Sequence, residues 1–175
     1  MRKKSEYDFA LIFKLLENEN AEEYLDKLYE AGCDDAVIGM GKIGYISVDF
    51  IREAESCYEA VESAIANVKE GISHAKLIYV SPDFVGVKEL SLLFKCTRQN
   101  IQKHANKLSF PASVYKGNQA LWHLEDVLDW FVNNNIDVSK ELMDVACLTK
   151  QINLNLELEN ADSKTTEQAK KLIAI

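Results

Sequence analysis

The first 80 residues switch repeatedly between a two-residue and a 3.6-residue hydrophobic period, and this alternation constrains the fold most strongly. Strands are predicted where apolar residues cluster or alternate, and helices where they recur every three or four positions. The predicted elements are strand Phe9–Phe13, helix Ala21–Ala31, strand Ala36–Ile38, strand Tyr45–Ile51, a helix that Ser56 caps and that runs through Val68, and strand Ala75–Val80. This β-α-β-β-α-β order predicts an α+β fold with a ferredoxin-like domain over residues 1–81, in which two helices cover one face of an antiparallel sheet.

A glycine-rich segment, Gly39-Met40-Gly41-Lys42-Ile43-Gly44, matches the G-x-G-x-x-G fingerprint of dinucleotide-binding proteins. The fingerprint requires a helix directly after the glycines, whose first turn receives the pyrophosphate. Here the following residues, Tyr45–Ile51, alternate as a strand. The glycines are therefore predicted to shape a hairpin, and no cofactor is expected.

The same half of the chain contains a few charged residues that are candidates for chemistry. Asp34, Asp35 and Asp49 suggest a divalent cation, although adjacent aspartates before a strand are more typical of a turn. Arg52 and Glu53 suggest either a small-molecule site or an internal ion pair, and the ion pair is favoured. The four cysteines form no C-x-x-C pair and the three histidines lack metal-ligand spacing, so reduced thiols and no metal are expected. No catalytic constellation is recognisable, and the chain is not expected to be an enzyme.

Charge is distributed unevenly along the chain. The formal net charge is −8, and residues 1–83 contain 9 Lys/Arg against 17 Asp/Glu. Residues 84–135 contain 6 Lys/Arg against 4 Asp/Glu, and no acidic residue lies between Leu90 and Leu124. Screening limits the reach of each charge to about 10 Å, so a local basic surface on an acidic protein can still contact phosphates.

Two short helices are predicted inside this basic segment. The first spans Val87–Phe94 with Leu90, Leu93 and Phe94 inward, and the second spans Arg98–Leu108 with Ile101, Ala105 and Leu108 inward. Lys95 stands in the turn between them, where many such turns have glycine, and Thr97 is the predicted N-cap of the second helix.

The outward face of the second helix, together with the loop beyond it, is the candidate binding surface. Arginine can pair with guanine, glutamine and asparagine with adenine, and helix N-termini enter the major groove first. An ordinary solvated helix face normally mixes Glu with Lys, and here acidic residues are missing. The candidate DNA-binding residues are Thr97, Arg98, Gln99, Gln102, Lys103, Asn106, Lys116 and Asn118.

A hairpin is predicted after the second helix. Val114-Tyr115 and Ala120–Trp122 are the predicted strands, with a tight turn at Lys116-Gly117-Asn118 that places Lys116 near the DNA backbone or minor groove. Glu125–Val132 is predicted to close the unit as a helix, and the two tryptophans, Trp122 and Trp130, are predicted to pack in the core. Residues 84–135 are thus predicted to be a winged helix-turn-helix.

The segment GVKELSLLFKCTRQNIQKHANKLSFPASVYKGNQALWHLEDVLDWF resembles helix-turn-helix proteins of the phage excisionase, prophage-regulator and MerR-like group. The shared features are the T/S-R-Q start of helix two, the F-P before the strand and the W-x-x-x-D-V-x-x-W close. Residues 6–135 also resemble a group of bacterial helix-turn-helix proteins through the stretch GCDDAVIGMGKIG…VDFIREAES. The resemblance implies a regulator that binds double-stranded DNA.

The remaining segments bear on partners and location. Residues 136–175 are predicted to form a C-terminal helical arm, which either docks on a partner or packs on its own chain. A homodimer is predicted because this arm or the amino-terminal sheet can pair symmetrically. No apolar run is long enough to cross a membrane and no signal peptide is recognisable, so a cytoplasmic protein is expected.

Transcriptional regulation is the favoured function, and three alternatives stay open. One is an excisionase-like architectural role, because bending DNA needs the same surface. Another is a protein-interaction adaptor, and the third is an enzymatic or metabolite-binding role of the amino-terminal unit. No small-molecule effector is identified.

Overall fold

A computed structural model describes residues 3–174 and shows a mixed α+β protein. The strands are β1 (Ser5–Lys14), β2 (Ala36–Gly39), β3 (Tyr45–Ala54), β4 (Lys76–Ser81), β5 (Phe84–Val85), β6 (Tyr115–Lys116) and β7 (Ala120–His123). The helices are α1 (Leu25–Glu30), α2 (Cys57–Gly71), α3 (Val87–Leu93), α4 (Arg98–Ala105), α5 (Leu124–Asn133), α6 (Lys140–Glu159) and α7 (Ser163–Ile173). We call β1–β4 with α1 and α2 the amino-terminal region, and β5–β7 with α3–α5 the central region.

Strands β1 to β4 form one antiparallel sheet in the order β2-β3-β1-β4. Alternate residues of the central strands β1 and β3 point to a buried face, where Phe9 lies opposite Phe50 and their rings stack 5.6 Å apart. All four strands predicted here are present. Both central strands are longer than predicted, because the alternation continues with charged residues such as Glu6 and Glu53 on the exposed face.

Helices α1 and α2 lie against the amino-terminal core, where Ala60, Val61, Ala64 and Val68 of α2 are buried. Ser56 caps α2 as predicted, because its side chain accepts a hydrogen bond from the backbone N–H of Glu59 at 3.2 Å. The glycine-rich segment forms the predicted hairpin into β3, and Gly44 has φ +78°, a conformation that favours glycine. The helix that a dinucleotide fingerprint requires is therefore replaced by a strand.

Helix α6 covers the edge strand β4 and joins the two hydrophobic cores. Val145 packs in the amino-terminal core, while the next residue, Ala146, packs in the central core. The Asn153 side chain accepts from the Val80 N–H and donates to the Val80 carbonyl, both at 2.8 Å. A side-chain amide thus satisfies backbone groups that the edge of a sheet would otherwise leave unpaired. Of the two alternatives for the arm, α6 follows the second and packs on its own chain.

The predicted boundary near residue 82 is a tightly packed joint. Asp83 is 1% exposed, and its carboxylate lies 2.6 Å from His123 Nδ1 and 2.9 Å from the Asn153 amide nitrogen. The Thr149 hydroxyl donates to the Pro82 carbonyl at 2.6 Å. Side chains from β7 and α6 therefore fix the connection between the two regions, although the sequence shows only a helix- and strand-breaking proline there.

The central region has an aromatic core built on a second small sheet, ordered β5-β7-β6. Trp122 and Trp130 are buried as predicted, with Phe110 packed edge-on against both rings. Phe110 also explains an error in the prediction for the second helix. That helix ends at Ala105 rather than Leu108, and Leu108 is fully exposed because Phe110 fills the core position expected for it.

The first helix of the pair also buries fewer residues than predicted. Leu90 is fully buried, but Leu93 is 37% exposed because α3 ends at that residue and the chain turns away. The last helix, α7, has no buried residue. Within residues 3–174, no helix is both long and apolar enough to cross a membrane.

Candidate nucleic-acid interface

The turn between α3 and α4 positions the candidate surface. Lys95 has φ +47°, in the left-handed region that favours glycine. This agrees with the observation that many turns of this kind have glycine at the position of Lys95. The Cys96 N–H donates to the Ser91 carbonyl at 3.0 Å and closes the turn. Ser91 is 8% exposed, which agrees with the need for a small residue where the two helices approach each other.

Helix α4 begins with the predicted cap. The Thr97 side chain accepts from the Asn100 N–H at 3.2 Å, and the first turn of the helix has no acidic residue. The positive end of the helix dipole is therefore not neutralised by a carboxylate. Arg98 and Gln99 occupy this first turn and are exposed, so a negatively charged ligand can approach both the side chains and the helix end.

Further along α4, the remaining predicted residues lie on the exposed side of the helix. Gln102 and Lys103 are exposed, and the Gln102 amide donates to the Asn106 carboxamide oxygen at 3.0 Å. Asn106 is the C-cap rather than a residue within the helix, because α4 is shorter than predicted. The helix end therefore displays a hydrogen-bonded pair of amides beside a lysine.

The hairpin formed by β6 and β7 supplies the other two predicted residues. Lys116 lies in β6 opposite Ala120, and Asn118 lies in the turn that joins the strands. Both are exposed. Gly117 lies directly against the end of the Tyr115 ring, which is 59% exposed, so a larger residue at this turn would require the tyrosine to move.

Three of the four acidic residues of the central region form contacts with groups outside the candidate surface, and the fourth, Asp129, is exposed on α5. Glu89 accepts a hydrogen bond from the Gly86 N–H at 3.0 Å, and Glu125 and Asp126 both bind Lys150 of α6 at 2.8 and 2.6 Å. Within residues 3–174, the ion pairs do not include the cations of the surface. Those cations are Lys95, Arg98, Lys103 and Lys116.

Two further residues of this part of the chain have structural roles that the sequence did not reveal. His104 packs edge-on against Trp130 and Phe131, and within the described residues its buried Nδ1 atom has no hydrogen-bond partner. Burial, with a contribution from Lys107, lowers the pKa of His104 below its usual value. The Lys107 ammonium lies 5.2 Å from the centre of the Trp130 ring. Two exposed cations of this segment, Lys95 and Lys107, are not among the predicted DNA-binding residues.

Three of the five charged candidates of the amino-terminal region form internal contacts, whereas Asp34 and Glu53 are exposed. An internal ion pair forms at Arg52 as predicted, but its partner is Asp35 at 2.8 Å rather than the adjacent Glu53, and Arg52 also donates to Asn67 and to the Gly32 carbonyl. Asp49 instead accepts a hydrogen bond from Ser47 at 2.7 Å. Within residues 3–174, no group of three potential metal ligands is assembled.

The cysteines are free thiols with different environments. Cys33 and Cys57 are buried, and burial raises their pKa values to about 11 and about 12. Thiols with such pKa values are protonated and unreactive at neutral pH. Cys96 is partly exposed and Cys147 is exposed.

Comparisons with family models, curated proteins and solved structures returned no match to this chain. The features of the molecule that bear on function are therefore the geometry and charge of the surface that α4 and the β6–β7 hairpin form.

Proposed function

We propose that the protein binds double-stranded DNA in a sequence-specific manner through a winged helix-turn-helix formed by residues 84–135, and that it regulates transcription in the cytoplasm. In this proposal α3 and α4 are the helix pair, the β6–β7 hairpin is the wing, and the amino-terminal region is a ferredoxin-like domain. The observation that carries the proposal is an exposed surface, from Lys95 to Asn118, that contains cations and amides but no carboxylate.

The residues divide into two chemical roles. Arg98 and Gln99 at the start of α4 have the donors and acceptors that recognise base edges in the major groove. Lys103 and Lys116 lie farther along the surface and suit phosphate contacts, which set the position of the protein but carry no sequence information. Thr97 is committed to capping α4, so its contribution to DNA binding is the orientation of the helix end.

A salt titration on random duplex DNA tests the proposal directly. Neutralising several phosphates releases counterions, so we expect the logarithm of the binding constant to fall linearly and steeply with the logarithm of salt concentration. Failure to bind at low salt would overturn the proposal and favour a protein-interaction role. Selection of bound sequences from a random duplex pool then determines whether the binding is sequence-specific.

Bending separates regulation from an architectural role. A fluorescence-transfer measurement on end-labelled duplexes reports the bend angle in the complex. A regulator of the proposed type needs no large bend, whereas an architectural protein bends its site by tens of degrees, roughly 20–90°. A large bend without sequence preference would contradict the regulatory part of the proposal and leave the DNA-binding part standing.

A further inference from the structure

Helix α7 has an apolar stripe that its own chain does not cover. Ala169, Leu172 and Ile173 recur at helical spacing, and Leu172 and Ile173 are 74% and 83% exposed. Asp162 caps the helix by accepting from the Thr165 N–H at 2.7 Å. Isolated helices of this length are marginal in water, and an amphipathic helix gains most of its stability by packing its apolar side. Helix α7 would therefore be stabilised by a second surface that covers this stripe.

An apolar groove of matching character begins between α2 and α6 and continues along α6. A cavity of 270 Å³ lies between the two helices, an adjoining cavity of 380 Å³ is lined by α6 residues alone, and the two share Leu148 and Ile152. Tyr58, which is 61% exposed, stands at one end of the groove. We call this surface the α2–α6 groove, and its apolar lining is Tyr58, Val61, Ile65, Leu148, Ile152 and Leu156.

The groove and α7 agree in length and in charge. The distance along α6 from Leu148 to Glu159 is about 16 Å at 1.5 Å per residue, and the eleven residues of α7 have nearly the same length. Carboxylates stand along the groove at Glu62 and Glu159. Helix α7 instead has three lysines, Lys164, Lys170 and Lys171, against one acidic residue, Glu167.

We infer that α7 of one chain docks in the α2–α6 groove of a second copy, so that two copies exchange their carboxyl-terminal helices. The connector between α6 and α7 favours this over docking on the same chain. Its backbone continues the end of α6 through bonds from Asn160 to Glu157 and from Ala161 to Leu158, and α7 then leaves its stripe exposed. Reciprocal exchange forms a closed two-fold dimer. This inference does not depend on DNA binding.

The first test removes the apolar contact. We expect analytical ultracentrifugation of the full-length protein to show a concentration-dependent dimer, and Leu172→Asp to raise its dissociation constant by about tenfold or more. Leu108→Asp is the matched control, because it makes the same change at a fully exposed leucine outside α7. The control should dimerise like the wild type. A wild-type protein that stays monomeric at every concentration would overturn the inference, as would an undiminished Leu172→Asp dimer.

A mixing experiment tests the exchange itself. Tyr58→Asp damages the groove and leaves α7 intact, while Leu172→Asp does the reverse, so each variant alone should be largely monomeric. Their equimolar mixture can form a heterodimer with one intact contact, in which the α7 of the Tyr58→Asp chain occupies the groove of the Leu172→Asp chain. Recovery of dimer in the mixture supports the exchange. No recovery would overturn it. A Tyr58→Asp variant that still dimerises like the wild type would also overturn it, because pairing of α7 with α7 does not use the groove, and docking of α7 on its own chain would leave the wild type and both variants monomeric.

Discussion

Arg52 in the amino-terminal region and Arg98 in the central region have the same guanidinium group in opposite surroundings. Arg52 is 8% exposed and its donors are taken by Asp35, Asn67 and a backbone carbonyl. Arg98 is exposed in the first turn of a helix that has no acidic residue there. The first arginine stabilises the fold, and the second has its hydrogen-bonding capacity available for a ligand.

The same contrast applies to the regions as wholes. The amino-terminal region is rich in carboxylates, whereas three of the four carboxylates of the central region cap a helix or bind Lys150, and none lies between Leu90 and Leu124. A polyanion is therefore repelled by one region and attracted by one surface of the other. The charge of an entire chain is a poor guide to its ligand when tertiary contacts consume some charges and leave others exposed.

The largest expected effect comes from removing the buried arginine. Arg52→Met should lower the free energy of unfolding by about 3 kcal/mol, because it leaves the Asp35 carboxylate without its partner. This is the lower end of the roughly 3–5 kcal/mol that removing one partner of a buried ion pair costs. The Asp35 side chain is 33% exposed and can rehydrate, which reduces the loss. Urea denaturation followed by circular dichroism measures the change.

The matched control is Arg98→Met, which should change stability by no more than about 0.5 kcal/mol because the side chain is exposed. Equal losses in the two variants would remove the distinction between a structural and a ligand-binding arginine.

The joint between the regions gives the next largest effect. Asn153→Ala should cost about 2 kcal/mol, because it leaves buried groups of Val80 and Asp83 without their hydrogen bonds. Asn155→Ala, one half-turn along the same helix at an exposed position, should cost little. Thermal or urea unfolding compares the two, and similar costs would show that the edge of β4 does not need the Asn153 amide.

On DNA, replacing Arg98 should have a sequence-dependent effect, and replacing Lys116 should not. Arg98→Ala should weaken binding to a selected site by about 1–3 kcal/mol and relax sequence preference, because it removes a base-reading group. Lys116→Ala should weaken binding to all sequences alike, because a phosphate contact carries no sequence information. Fluorescence anisotropy on selected and random duplexes measures both, and equal effects of Arg98→Ala on the two duplexes would refute its assigned role.

The smallest effect compares two helix caps. Ser56→Ala on α2 and Thr97→Ala on α4 should each cost about 1 kcal/mol of stability, since each removes one side-chain bond to a helix N-terminus. The two should differ on DNA, where only Thr97→Ala disturbs the end of the proposed recognition helix. If Ser56→Ala weakens DNA binding by the same factor as Thr97→Ala, the loss follows from reduced stability of the whole protein, and the proposed role of α4 in recognition is contradicted.

Much of the local structure could be predicted because hydrophobic period and capping chemistry are local. The strands of the amino-terminal sheet, the caps Ser56 and Thr97, and the burial of Trp122 and Trp130 all agree with the sequence pattern. The predicted end of α4 was wrong. Leu108 and Phe110 both fit the apolar position expected after Ala105, and only packing against the tryptophans selects Phe110.

The sequence by itself determined the order of the elements and the acid-free segment from Leu90 to Leu124. Tertiary structure decided which charges remain exposed, since Arg52 meets Asp35 and Lys150 meets Glu125 only after folding. It also decided that Asn153 pairs with Val80, 73 residues away. Periodicity reports that one face of an element is buried, but it contains no information on which distant group will lie against that face.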